Sequence, residues 1–206
     1  MKEKLMIIGA SGHGKVVVDI AIKMNIWKHI FFLDDDVSIT TCMGYRVVGK
    51  TVDAVNYIDE ADIFVAVGNN AIRENIHKTL GSAGAKLPVL IHPAAIIGSE
   101  VEIGVGSVIM AGVVINSATR IGRGCIINTA ATVDHDNRIA DYVHVSPGAH
   151  LAGMVEIGEK SWIGIGSVVS NNLTVTANCK IGAGAVVVKD ITESGTYVGV
   201  PARSIR

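Results

Sequence analysis

The 206-residue chain is long enough for one large domain or two small ones. Nearly half of it is apolar, yet only 4% is aromatic and 23 residues are glycine, which suggests thin regular layers of Ile, Val and Ala rather than a core filled with rings. A net charge of −1 gives no electrostatic basis for binding nucleic acid or an anionic membrane, and no apolar run approaches the ~20 residues of a membrane span.

The first apolar run, KLMIIG, ends in the glycine loop GASGHG (residues 9–14) and not in a cleavage site. It is therefore read as a first strand over 5–9 of a cytoplasmic protein, not as a signal peptide. A helix is predicted over 15–25, a second strand at HIFFL (29–33), a short helix near 52–57, a buried strand at DIFVAVG (62–68) and a helix from Ala71 to Leu80. Alternating strands and helices imply a parallel sheet with right-handed crossovers, and ligands of such sheets sit at the carboxyl ends of the strands. The glycine loop, Asp34, Asp35 and Asp36, and the Gly68–Asn69–Asn70 turn all fall there. Backbone N–H groups at a helix start suit a phosphate; the plain alternative is a tight turn that uses glycine for its geometry alone.

Asp34 follows Gly14 by 20 residues, the spacing of an acid that grips a ribose hydroxyl. The glycines, however, are spaced G-x-x-G-x-G, not G-x-G-x-x-G, and the pattern stops near residue 88. The module is half a dinucleotide fold, fit for one nucleotide.

From Ile97 to Val187 every sixth residue is Ile, Val or Leu, sixteen times without a slip. This is the hexapeptide repeat of a parallel β-helix, in which the first column points inward and three rows close a coil of 18 residues. Counting each aliphatic residue as column one, column two is rich in glycine, which is expected to let the chain turn the corner. Coils of this class wind left-handed. The division is expected at 1–88 for the α/β part and 89–206 for the β-helix. Cys125 and Cys179 share column five three coils apart, too far for a disulfide, and with Cys42 they make an odd set.

One segment of the repeat is unusually polar: TVDHDNRI, residues 132–139. His135 falls in column three and is expected on the outside, flanked by Asp134 and Asp136, with Gly153 one coil above it. An imidazole beside a carboxylate suits general-base work near neutral pH; a merely solvated corner is the alternative. His144 is half a coil from His135, so the two would meet most easily between neighbouring copies, as in a cyclic trimer. His144 and His150 sit on adjacent rows and point from different faces, so no metal site is expected.

The motifs IIGASGHG, FFLDDD, AVGNNAIR, NTAATVDHDNRI, HVSPGAHLAG and YVGVPAR together run the length of the chain. They resemble the bacterial sugar acetyltransferases of the bacillosamine and perosamine type, whose layout the sialic acid O-acetyltransferases share. The resemblance implies an α/β nucleotide-sugar-binding domain followed by a left-handed β-helix acyltransferase domain, assembled as a homotrimer with active sites between subunits. It implies acetyl-CoA as co-substrate, no metal, and a nucleotide-linked 4-amino-4,6-dideoxy sugar, most often on UDP, as acceptor. Carried over by position, Ser11, Gly12, His13, Asp34, Asp35, Gly68 and Arg73 would hold the nucleotide sugar. His135 would be the base, with Asp136 raising its basicity where members of the family carry Glu. His144, Gly153 and Ile165 would contact acetyl-CoA. Sialic acid O-acetylation and a non-catalytic nucleotide-binding trimer are the competing expectations.

Overall fold

In a computed structural model, residues 3–205 are described. The chain divides into two compact units, Met1–Pro93 and Ala94–Arg206. The division falls later than residue 88 because a short strand at Leu90–Ile91 packs on the first helix of the chain. Among the described residues no helix is long and apolar enough to cross a membrane.

The first unit is a three-stranded parallel sheet with β1 (Lys4–Ile8) between β2 (His29–Leu33) and β5 (Ala61–Val65). β1 and β5 are apolar almost throughout because both of their faces are covered. Helix α1 (Gly12–Met24) starts three residues before the expected position, with Gly12 and His13 inside its first turn. It stops at Asn25, whose left-handed conformation (φ 52°) returns its N–H to the carbonyls of Ala21 and Ile22. Helix α2 (Asn70–Ser82) is capped by Asn69, whose side chain accepts from the N–H groups of Ala71 and Ile72. A small hairpin of β3 (Thr41–Cys42) and β4 (Tyr45–Arg46) and a 3-10 helix at Thr51–Tyr57 lie between β2 and β5. Met6, Ile8, Leu33, Ile63, Val65 and Leu80 form the core of this unit.

The second unit is the predicted prism. Its strands are two residues long and pair in parallel with the strand 18 residues on, as Val114–Ile115 does with Thr132–Val133. Successive strands fall on three different sheets in rotation, which are the three faces. Column-one side chains point inward; Ile109, Ile127, Val133, Val145, Ile163 and Val175 are fully buried.

The corners are not turned at column two. All fifteen column-four positions from Glu100 to Gly184 have positive φ, nine of them without glycine, Asp136 (φ 57°) among them. The column-two glycines serve close stacking instead. A Cβ on Gly98 would lie 2.7 Å from the backbone N of Ser117, and one on Gly122 would lie 2.7 Å from the carbonyl carbon of Ala140.

Column five carries an internal hydrogen-bond relay. The hydroxyls of Ser107, Thr119 and Ser161 donate to the column-two carbonyls of Gly122, Asp134 and Thr176. The same oxygens accept the N–H groups of Cys125, Asn137 and Cys179 from the next coil. Cys125 and Cys179 are buried and unbridged, as their spacing requires, but they are not simply apolar filling. The Cys125 thiol lies 3.1 Å from the carbonyl of Ala140 and takes the place of a hydroxyl in the relay.

Candidate active site

In the first unit, the carboxyl ends of β1, β2 and β5 surround a cleft of about 350 Å³. Ser11, Asp34, Asp35 and Gly68 line it, joined by Thr51 and Ile72, which the sequence did not single out. Asp34 has both oxygens engaged by backbone: Oδ2 accepts from Ala10 N–H at 2.6 Å and Oδ1 from Asp36 N–H at 2.9 Å. It ties the glycine loop to the end of β2. Asp35 accepts one bond, from Thr51 N–H, on Oδ1.

Arg73 is fully buried and does not line the cleft. Its guanidinium donates to the carbonyls of Val67 and Gly68 and to Asn70 Oδ1, so it is a strut beneath the Gly68 turn. His13 also lies outside the cleft lining. Burial, and secondarily the charge of Arg73, push its pKa down to about 4, so its imidazole is neutral at physiological pH. Gly12, beside it in the first turn of α1, is exposed.

On the prism, His135 and Asp136 occupy columns three and four of one corner. The His135 side chain is 54% exposed, and its Nδ1 lies 2.7 Å from Asp136 Oδ2. A carboxylate can only accept, so Nδ1 carries the proton and the Nε2 lone pair is left available. Asp is thus long enough to make this contact. The hydrogen bond to Asp136 raises the His135 pKa above its ordinary value, with smaller contributions from the charges of Asp134 and Asp136. Asp134 is held below the usual carboxylate range by hydrogen bonds from Asn116 Nδ2 and from the N–H of His135.

The imidazole lies directly over Gly153, where a Cβ would come within 2.6 Å of Nε2. Only glycine leaves the ring its place. Asp136 also borders a wide groove whose wall carries Arg120, Arg138 and Glu156, a feature the sequence did not reveal.

His144 lies on a different face, buried between neighbours on its sheet. Trp162 stacks on it with ring centroids 5.0 Å apart, and the Trp162 indole N–H donates to Ser146. Asn128 Oδ1 accepts from Thr129 N–H, which turns its Nδ2 toward His144 Nε2 at 3.1 Å. Nε2 is therefore the acceptor and the neutral ring carries its proton on Nδ1. Ile165 is exposed at the edge that follows Trp162. Within one chain the structure thus groups His135, Asp136 and Gly153 on one edge, and His144 and Ile165 on the next face and edge. Among the described residues no three His, Cys, Asp or Glu side chains converge as a metal site would require.

Comparison with known proteins bears on both units. Residues 4–80 match the PglD N-terminal domain, and residues 154–189 match the bacterial transferase hexapeptide (six repeats). A UDP-N-acetylbacillosamine N-acetyltransferase of Bacillus subtilis is 38% identical over 114 residues, 53% of this chain and only 52% of that protein. A GDP-perosamine N-acetyltransferase of Escherichia coli is 31% identical over 97% of this chain and 95% of its own. The acetyltransferase domain of PglB from Neisseria gonorrhoeae, solved with acetyl coenzyme A, superposes with a TM-score of 0.96 at 44% identity, covering 100% of both chains. The chain belongs to the nucleotide-sugar N-acetyltransferase family of the bacillosamine and perosamine type.

Proposed function

We propose that this protein transfers the acetyl group of acetyl-CoA to the 4-amino group of a nucleotide-linked 4-amino-4,6-dideoxy sugar, with UDP as the nucleotide. The observation that carries the reading is the His135–Asp136 pair, with its available Nε2 lone pair above Gly153. UDP is favoured by the 38% identity to the bacillosamine enzyme against 31% to the perosamine enzyme. The cleft lined by Ser11, Asp34, Asp35 and Gly68 is the proposed seat of the nucleotide. Arg73 and His13 support its walls rather than meet the phosphates.

The neutral sugar amine attacks the thioester carbon of acetyl-CoA. The carbonyl becomes an oxyanion, for which the backbone N–H of Gly153 is the proposed donor. His135 Nε2 takes the proton that the nitrogen sheds as the C–N bond forms. The C–S bond then breaks, the amide is left on the sugar, and the sulfur leaves as CoA thiol with the proton His135 returns. Asp136 holds the charge of the imidazolium between these steps.

The assembly proposed is a trimer with the site between copies. The face flanked by the His135 edge and the Ile165 edge presents Ile96, Val114, Thr132, His150, Val168 and Val186 outward. The next face presents Glu102, Arg120, Arg138 and Glu156. Packing copies on the apolar face would bring one edge of each chain to the other edge of its neighbour, so acetyl-CoA could reach both sets of residues.

The test is release of CoA thiol from acetyl-CoA with a UDP-4-amino-4,6-dideoxy sugar, its GDP counterpart and sialic acid as separate acceptors. Release that depends on the UDP-linked sugar is expected. His135→Ala should lower kcat by a factor on the order of 10²–10⁴ while leaving the acetyl-CoA KM nearly unchanged. Wild-type turnover in that variant would refute the assignment of the base, and release only with sialic acid would move the reaction to a hydroxyl acceptor.

A further inference from the structure

The Asn137 side chain is fully buried in the prism, in the column that elsewhere holds Ser, Thr, Ala, Cys or Val. Its Nδ2 donates to three carbonyls: Asp134 at 2.8 Å, Ala152 at 2.9 Å and, more weakly, His135 at 3.3 Å. Its own N–H is held by Thr119 Oγ1, which also donates to the Asp134 carbonyl at 2.7 Å. The three carbonyls fix the amide's orientation, since only the nitrogen can serve them. Its Oδ1 is then buried with no hydrogen-bond partner among the described residues. A prism selected for stability alone gains nothing from that orphaned acceptor.

The geometry of the peptide unit shows what the arrangement achieves. In a trans peptide the C=O and the following N–H point in opposite directions. Asn137 draws the Ala152 carbonyl inward, so the N–H of Gly153 points outward, on the side where the His135 ring lies. Elsewhere the column-two side chain satisfies the N–H that follows it: Asn128 accepts from Thr129, and Asp134 from His135. Ala152 has no such acceptor, and among the described residues nothing takes the Gly153 N–H. The same amide grips the carbonyls of Asp134 and His135, the turn that presents the base.

We infer that Asn137 is a positioning residue that locks the proposed base, His135, and the proposed oxyanion donor, the Gly153 N–H, into one rigid arrangement. The inference rests on the proposed acetyl transfer. Asn137 touches neither substrate; it sets the distance between two groups that do.

The experiment compares wild type, Asn137→Ala and Asn137→Ser, with His135→Ala as reference, for kcat, acetyl-CoA KM, melting temperature and assembly state. Column five accepts alanine at Ala131, Ala149 and Ala185, all fully buried, so the Ala variant is expected to fold and assemble. Its kcat should fall by about 10- to 100-fold, with the acetyl-CoA KM within about twofold of wild type. Serine can reach the Ala152 carbonyl as Ser107 reaches that of Gly122, but cannot hold Asp134 and His135 as well. It should recover part of the lost kcat. A wild-type kcat in the Ala variant would overturn the inference, as would a loss that only tracks the fraction of folded protein. If Ala unfolds, the Ser variant decides alone: reduced kcat at unchanged KM and melting supports the inference, and wild-type kcat overturns it. Absence of sugar-dependent turnover in the wild type, or full activity in His135→Ala, would instead remove the proposed function and this inference with it.

Discussion

His135 and Asp136 are joined by one hydrogen bond, and its sign decides how pH acts. The carboxylate stabilises the protonated imidazole, so the His135 pKa lies above its usual value near 6.5. Acetyl transfer needs the deprotonated ring, so kcat should rise with pH through a midpoint above 6.5 and level off beyond it. In Asp136→Asn the hydrogen bond weakens and the charge is lost, so the midpoint should move to lower pH and the plateau should fall. A kcat profile at saturating substrates checks this; an unmoved midpoint would show that Asp136 does not govern the base. Both residues were legible because two carboxylates beside one histidine stand out in a repeat of small residues. Asn137 was not, because its column specifies burial and small size, and a hydrogen-bond count is visible only once the carbonyls are placed. The buried strut made by Arg73 was misleading for the opposite reason, since an arginine after a glycine turn suggests a phosphate contact until its three backbone and side-chain acceptors are seen.

For the six-residue row, the sequence showed the core column and obscured the turn. Periodicity revealed which residues point inward because burial leaves aliphatic side chains at fixed spacing. It could not show that the chain reverses at column four, because that position accepts Glu, Ala, Asp, Tyr, Met, Lys and Asn as well as Gly. The glycine of column two looked like the turn residue but is a stacking residue. The two roles predict opposite outcomes. Gly122→Ala should destabilise the prism by about 1–3 kcal/mol, because the added carbon meets backbone that cannot yield. Asn172→Gly, at a column-four position with φ 57°, should be neutral or stabilising. Chemical denaturation of the two variants tests the order. The β3–β4 hairpin escaped prediction because two-residue strands carry no period, and its turn, Met43–Gly44, lacks the Asn or Asp that marks such loops.

At the scale of the whole molecule, the outward residues of the three faces decide assembly. An apolar face bounded by the His135 and Ile165 edges is unlike the charged face beside it, and Ile96 and Val168 are its exposed members. Light scattering should give three chains per particle. Val168→Glu would place a charge on the packed face and should yield monomers with an intact prism and little acetyl transfer. A monomer with full activity would show that one chain completes the site. The architecture of both units was legible in broad outline, since the strand–helix alternation and the repeat each have a strong period. The pairing of edges between copies was not, because it depends on side chains that the inward period leaves free to vary.

The uniform pairing of each strand with the one 18 residues on also bears on how the chain finds this structure. All-β proteins usually fold slowly because their partners are distant in sequence. Here each added coil closes one short loop onto a surface already formed, so ordering can propagate along the prism axis like a zipper. The first unit has no such advantage: Lys4 must find both His29 and Ala61 before its sheet exists. The prism is therefore the part with the low contact order, and the small parallel sheet is the part whose search sets the pace.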